Sequence, residues 1–271
     1  MESAKILPRA DTAARNKRIL VAFDFDHTIV NDNSDTFILS LLDTPLPEEI
    51  EDVRGEKGWT EYMDAIYGHL HSLGISTAAI HQHQERVPLV EGVKEFLEFL
   101  STNKDIVDCA IISDANGLFI PWILEAHHLL EVFTGRIHTN PAWIDDTDRM
   151  HIAFYHTNTW CELSARNICK GAVLRRLCYP NAQQEDVPSA AEELLKPLDD
   201  GCLYDCVIFV GDGQNDYCPS LRLRPQDFVF ARQRFQLVNL LKKNAELVKA
   251  GVFTWATGYD MLEKTKTIIK R

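Results

Sequence analysis

Three short apolar runs in this chain stop abruptly at acidic or polar segments: Ile19-Leu-Val-Ala-Phe before Asp24, Val107 to Ile112 before Ser113, and Val207 to Val210 before Gly211. A strand with one wet face alternates apolar with polar residues. Runs that are apolar at almost every position, and too short for a helix, suit strands buried on both faces of a parallel sheet. Phe228-Val-Phe-Ala reads as a fourth such strand. Between these runs Val93, Phe96, Leu97 and Leu100 follow the i, i+3, i+4, i+7 spacing of a helix face. Leu237, Leu240 and Leu241 do the same, with Ala245 and Val248 one turn on. Strands alternating with helices predict right-handed crossovers and an α/β fold, a doubly wound parallel sheet with a Rossmann-like core.

Residues 41–87 break that rhythm. They open with Pro45 and Pro47, hold no strand-like run, and carry an apolar stripe at Trp59, Tyr62, Met63, Ile66 and Leu70. We expect a small helical cap there, inserted after the first strand, with 1–40 and 88–271 forming the α/β core. Residues 180–201 are polar and acidic and read as a surface loop with one short helix. The formal net charge of -12 argues against a nucleic-acid ligand and against anionic membrane surfaces. Residues 1–18 are polar, and the run Ile19 to Phe23 is too short for a membrane span or a signal core. The seven cysteines include no C-x-x-C pair, so reduced thiols in a cytoplasmic protein are expected. His81 and His83 lack a second ligand pair and read as part of a solvated loop.

Ligands of open α/β sheets bind outside the carboxyl ends of the strands. The three strong strands deliver there Asp24-Phe-Asp-His-Thr28, Ser113-Asp-Ala-Asn116 and Gly211-Asp-Gly-Gln-Asn-Asp216, and Lys170 lies on a helix expected to start near Asn167. This set meets the needs of phosphomonoester hydrolysis, for which catalysis must supply up to roughly 20 kcal/mol. A carboxylate nucleophile divides the reaction into two easier steps through an acyl phosphate. Carboxylate and phosphate repel one another, so a Mg²⁺ held by hard oxygen ligands has to bridge them. Asp24, Asp212 and the backbone carbonyl of Asp26 can supply those ligands. Lys170 offsets further phosphoryl charge, and Ser113 and Thr28 can donate hydrogen bonds to its oxygens. Asp26 suits the general acid and base. Gly211 and Gly213 are expected to permit a tight turn that brings Asp212 to the metal. His27 reads as a flanking residue.

The series Asp24-x-Asp26-x-Thr28, Ser113, Lys170 and Gly211-Asp212-Gly213-x-Asn215-Asp216 resembles the four motifs of the haloacid dehalogenase-type phosphatases. The resemblance implies Asp24 as nucleophile, Asp26 as acid and base, Mg²⁺ on Asp24, the Asp26 carbonyl and Asp212, and Asp216 as a supporting carboxylate. A narrower likeness rests on Phe23-Asp-Phe-Asp-His-Thr-Ile-Val, Asn33-Ser-Asp35, Ile112-Ser-Asp-Ala-Asn, Asn167-Ile-Cys-Lys170 and Val210-Gly-Asp-Gly-Gln-Asn-Asp-Tyr-Cys-Pro219. These segments are similar to the phosphoethanolamine/phosphocholine phosphatase family, whose relatives are also linked to pyridoxal phosphate. By motif position Asp35 and Asp114 would contact the substrate. That family commonly has a further Cys and a Pro where this chain reads Cys161-Glu-Leu-Ser-Ala-Arg-Asn167.

Asp35 and Asp114 exceed what the metal needs, and extra negative charge favours a cationic leaving group. For Asp35 the alternative is a helix cap near Thr36. The expected substrate is therefore a small phosphomonoester, phosphoethanolamine or phosphocholine first, with pyridoxal phosphate, thiamine monophosphate and phosphoserine as alternatives. The cap aromatics Trp59, Tyr62 and Tyr67 could face a cationic headgroup, although their helical spacing favours packing. A degenerate binding module would have lost Asp24, Asp26, Lys170 or Asp212, and all four are present.

Overall fold

The computed structural model describes residues 17–180 and 196–270. Six strands, β1 (Ile19–Phe23), β2 (Val107–Asn116), β3 (Ile137–Asn140), β6 (Cys206–Gly211), β7 (Phe228–Arg232) and β8 (Gly251–Trp255), make the central sheet. Its order is β3-β2-β1-β6-β7-β8, and every neighbouring pair is parallel. A separate antiparallel hairpin joins β4 (Ala142–Ile144) to β5 (Met150–Ile152). Helices α1 (Ser34–Phe37), α2 (Glu48–Glu56), α3 (Trp59–Ser72) and α4 (Thr77–Gln84) follow β1. Helix α5 (Val93–Thr102) leads into β2 and α6 (Phe119–Ala126) leaves it. Helices α7 (Lys170–Cys178), α8 (Tyr217–Ser220), α9 (Gln236–Lys243) and α10 (Gly258–Ile269) come after.

Successive side chains of a strand point to opposite faces, and in β1 both faces are covered. Ile19, Val21 and Phe23 enter the layer that holds Phe96 and Leu97 of α5, whereas Leu20 and Ala22 enter the layer that holds Val173 and Leu174 of α7. All five β1 residues are fully buried, which is why the strand is apolar throughout. From β1 the chain builds β2 and β3 on one side, then returns to lay β6, β7 and β8 on the other. Strand order thus reverses beside β1, and the carboxyl ends of β1, β2 and β6 surround one crevice.

The four strands expected from sequence are all present. Strand β2 runs on through Asn116, so Ser113 and Asp114 lie on the strand instead of after it. Helix α7 begins at Lys170 itself, not near Asn167, and α9 ends at Lys243, leaving Ala245 and Val248 outside it. Residues 41–87 contain α2, α3 and α4 and no strand. His81 and His83 lie on α4, not on a loop. The His81 ring stacks on Trp122 at 4.4 Å, and His83 Nε2 contacts Ser40 Oγ at 2.7 Å. The β4–β5 hairpin braces α3: Arg149 pairs with Asp64 at 3.0 Å, and His71 Nε2 meets the Thr147 carbonyl at 2.9 Å. Most of the loop expected at 180–201 lies outside the described residues. Among the described residues no helix is long and apolar enough to cross a membrane.

Candidate active site

Asp24 is the first residue past β1. The register sets Phe23 opposite Ile111 of β2 and Val210 of β6, and the Asp24 N–H donates to the Val210 carbonyl at 2.9 Å. Asp24 Oδ1 accepts from the Phe25 N–H at 2.7 Å and stands 2.7 Å from Lys170 Nζ. Lys170 opens α7 with its side chain only 1% exposed, and Nζ also donates to Asp216 Oδ1 at 2.8 Å. The other Asp216 oxygen accepts two backbone N–H groups, from Asp212 and Gly213, each at 2.9 Å. Asp216 therefore ties the β6 turn to Lys170 with three bonds.

The glycines of that turn act differently from the sequence expectation. Neither Gly211 nor Gly213 has a positive φ, and Gly213 is extended at φ −104 and ψ −175. Gly211 is needed for space instead: a Cβ there would stand 2.4 Å from both Cγ and Oδ2 of Asp216.

Asp24, Asp212 and Asp216 are buried, with oxygens within 4.8 Å of one another. Burial, followed by the charge of Asp216, pushes the Asp24 carboxyl well above its ordinary value, against the pull of Lys170. Burial and then Asp216 likewise push Asp212 up to about 7. Burial opposes the charge on Lys170, yet Asp216 and Asp24 prevail and hold the ammonium protonated above its usual range. Three buried carboxylates thus share one ammonium. Asp216 is committed to Lys170 and two amides, whereas Asp24 and Asp212 offer hard oxygens where one ammonium leaves negative charge in excess. This donor set fits a Mg²⁺ ion, whose charge would relieve the repulsion.

Asp26 Oδ1 accepts from the Ser34 N–H at 2.9 Å, and burial, then the neighbouring Asp35 charge, raises its pKa to about 8. Thr28 Oγ1 donates to Asp212 Oδ1 at 3.4 Å. Ser113 is fully buried, with Oγ accepting from the Ala115 N–H at 3.2 Å. Asn215 Nδ2 donates to Asp114 Oδ1 at 3.1 Å, so the third strand end steadies the second.

Asp35 does not cap the following helix; Asn33 does, its side chain accepting from the Thr36 N–H. Asp35 is instead buried, with Oδ2 accepting from Trp59 Nε1 at 2.8 Å and Oδ1 from Asn116 Nδ2 at 3.4 Å. Burial raises its carboxyl to about 7, with Trp59 pulling the other way. Asn116 also donates to Tyr67 Oη at 3.1 Å. Two of the three aromatics of α3, Trp59 and Tyr67, thus reach Asp35 and Asn116, while Tyr62 turns away to donate to Glu51. Asn116 escaped the sequence reading as a site residue. Its signal was its place two residues past Asp114, the repeat at which an extended chain returns to the same face. His27 adopts a left-handed φ of 54, its ring sits 5.4 Å from that of Phe235, and its carbonyl accepts from Arg232, as suits a flanking residue. Arg54 lies over the Trp59 ring at 5.1 Å.

The family model described as "Putative Phosphatase" matches residues 19–269. The pyridoxal phosphate phosphatase PHOSPHO2 of Mus musculus is 34% identical over 257 residues, 93% of this chain and 99% of the relative. A thiamine phosphate phosphatase-like protein of Arabidopsis thaliana is 30% identical over 261 residues, 93% of this chain and 98% of the relative. Among solved structures, a HAD family hydrolase from Salmonella enterica superposes with a TM-score of 0.56 at 16% identity, covering 93% of this chain and 72% of its own, which speaks for the fold. With a family model spanning nearly the whole chain and relatives named as phosphatases, the chain belongs to this phosphatase family and is a phosphoric monoester hydrolase, on a fold shared with the HAD family hydrolase.

Proposed function

We propose that this phosphatase hydrolyses pyridoxal phosphate through a phospho-aspartate on Asp24. The sequence had favoured phosphoethanolamine or phosphocholine; relatives named for pyridoxal phosphate, aligned over 93% of this chain, favour the alternative. The observation that carries the reaction is the buried Asp24–Lys170–Asp216 chain at 2.7 and 2.8 Å, with Asp26 beside it. Asp24 attacks phosphorus, and the bond to the leaving alkoxide breaks. Asp26, with a pKa raised to about 8, holds a proton at neutral pH and gives it to that alkoxide. The same carboxylate then takes a proton from the water that attacks the acyl phosphate, which releases inorganic phosphate and restores Asp24. Lys170 stays charged and offsets the phosphoryl oxygens, with Ser113 and Thr28 as hydroxyl donors. Asp24, Asp212 and the Asp26 carbonyl would hold Mg²⁺, which supplies Lewis-acid neutralisation of phosphoryl charge.

Asp35 and Asp114 read as the substrate-binding carboxylates. A carboxylate is the usual partner of a pyridinium nitrogen, and the same charge suits an ammonium or trimethylammonium group. That shared chemistry keeps phosphoethanolamine and phosphocholine as the second reading. Residues 41–87 serve as a cap that excludes water from the acyl phosphate, with Trp59 and Tyr67 as its contacts with the site. The unpaired cysteines suit a cytoplasmic location.

Phosphate release from pyridoxal phosphate, phosphoethanolamine, phosphocholine, thiamine monophosphate and phosphoserine decides between these, with Mg²⁺ or chelator and with Asp24→Asn as control. We expect Mg²⁺-dependent turnover, absent in the variant, with kcat/KM highest on pyridoxal phosphate. A tenfold preference for either amine ester would move the substrate to the second reading. Asp114→Asn is expected to lower turnover of cationic substrates more than that of a neutral phosphomonoester, and equal losses would remove the headgroup role.

A further inference from the structure

Three cysteines far apart in sequence meet behind the catalytic lysine. Cys161 comes from the loop before α7, Cys169 immediately precedes Lys170, and Cys218 lies on α8, two residues past Asp216. All three are buried. Cys161 Sγ is 3.4 Å and Cys169 Sγ 3.8 Å from Cys218 Sγ, and the three sulfurs lie within 4.8 Å of one another. Thiols that merely fill a core pack against carbon. Here the sulfurs face each other.

The surroundings are built to hold them there. The buried Asn158 folds the Cys161 loop. Its Nδ2 donates to the carbonyls of Cys161, Ser164 and Ala165, and its Oδ1 accepts from the N–H groups of Trp160 and Cys161. Gly171 leaves room for the cluster, since a Cβ there would stand 2.6 Å from Cys218 Sγ. Arg222 Nη2 donates to Cys218 Sγ at 3.7 Å, while its Nε is buried with no hydrogen-bond partner among the described residues. A cation aimed at a group of thiols, with a donor to spare, is the surrounding expected of a cluster that carries negative charge. Ser164 Oγ, 3.4 Å from Cys161 Sγ, adds an oxygen at the rim.

We infer that Cys161, Cys169 and Cys218 form a second metal site, distinct from the carboxylates, for a thiophilic closed-shell cation, with Zn²⁺ as the ion and Ser164 Oγ as the fourth donor. With Zn–S bonds of about 2.3 Å, tetrahedral geometry sets sulfurs ~3.8 Å apart. The Cys169–Cys218 spacing of 3.8 Å matches that value, and Cys161–Cys218, at 3.4 Å, is somewhat shorter. Soft thiolates bind Zn²⁺ far better than Mg²⁺, whereas the hard oxygens of Asp24 and Asp212 suit Mg²⁺, so the two sites differ in donor chemistry. Binding releases the three thiol protons to solvent. Zinc with three thiolates then carries one net negative charge, which faces the Arg222 guanidinium. The ion would pin the start of α7 against α8, the two segments next to Lys170 and Asp216. The sequence gaps among these cysteines match no C-x-x-C pattern, which is why spacing alone conceals the site.

The test uses the full chain purified with reductant and without chelator. Elemental analysis is expected to find about one Zn²⁺ per chain. A thiol-reactive dye should reach the cluster cysteines at least tenfold more slowly than after zinc chelation at constant Mg²⁺. Cys161→Ser and Cys218→Ser should each lower bound zinc below a tenth of an equivalent, while Cys202→Ser retains it. Chelating zinc from the wild-type chain should lower Tm, a readout that does not depend on how well the variants fold. Zinc retained in the Cys161→Ser, Cys218→Ser double variant would place the ion elsewhere and overturn the assignment. So would a metal-free chain whose Tm and dye kinetics ignore added Zn²⁺, or a Cys161–Cys218 disulfide found by non-reducing mass spectrometry.

Discussion

Alanine at Gly211 adds one methyl group where the structure has no space for it. The new Cβ would lie 2.4 Å from Cγ and Oδ2 of Asp216 and 2.8 Å from its Cβ. Ordinary carbon contact is about 3.5–4.0 Å, so the carboxyl must retreat by roughly 1 Å. It cannot do so freely, because its oxygens hold Lys170 at 2.8 Å and the Asp212 and Gly213 amides at 2.9 Å. Hydrogen bonds to a charged group are worth about 1.5–3 kcal/mol each, and breaking a buried ion pair costs about 3–5 kcal/mol. Losing one or two of these bonds should therefore destabilise Gly211→Ala by about 3–5 kcal/mol, a drop in Tm on the order of 10 °C. A misplacement of about 1 Å at Lys170 and Asp212 should lower kcat/KM by about 10²-fold. Thermal unfolding and phosphate release, both at saturating Mg²⁺, measure the two effects. A variant with wild-type Tm and wild-type turnover would refute the view that Gly211 exists to admit Asp216.

Gly55 supplies the contrasting case: it sits exposed within α2 with nothing within 4 Å of an added Cβ, so Gly55→Ala should stabilise by about 0.5–1 kcal/mol and leave turnover unchanged in the same assays. Lys170→Met removes the one ammonium shared by Asp24 and Asp216, so phosphate release should fall at least 10³-fold and Tm should drop; activity within tenfold of wild type would count against the charge argument. The stabilisation conferred by Mg²⁺ should grow with pH. Burial raises the folded pKa of Asp212 to about 7, above its unfolded value, so its contribution to stability is full below 3.8 and is lost as pH rises through 7. Mg²⁺ takes the ionised form, so the rise in Tm on adding it should be larger at pH 8 than at pH 5.5. Equal rises at both pH values would contradict the coupling.

Much of the fold was legible because burial on both faces leaves its mark on every residue of a strand. Strands β1 and β6 are buried throughout, and their apolar runs end where the strands end. Strands β3 and β8 close the two edges of the sheet and are partly exposed, so Ile137–Asn140 and Gly251–Trp255 carry no such continuous run. The β4–β5 hairpin is short and half solvated, and its place on α3 depends on Arg149 and Asp64, 85 residues apart.

The carboxylates and the lysine were readable for a chemical reason. The phosphoryl transfer we propose needs hard oxygens, an acid and a cation; the carboxylates stood at the ends of the strand runs, and Lys170 on a helix between the second and third of them. The sequence by itself therefore determined which segments form the core strands, the polar residues that close them and the reaction class. Only the tertiary structure decided what each group touches. It buried Asp35 against Trp59 and Asn116 instead of leaving it to cap a helix, assigned Gly211 to the space beside Asp216, and brought Cys161, Cys169 and Cys218 together. Local pattern records which face of an element is covered. The identity of the atoms that cover it depends on segments tens of residues away, and no short-range periodicity carries that information.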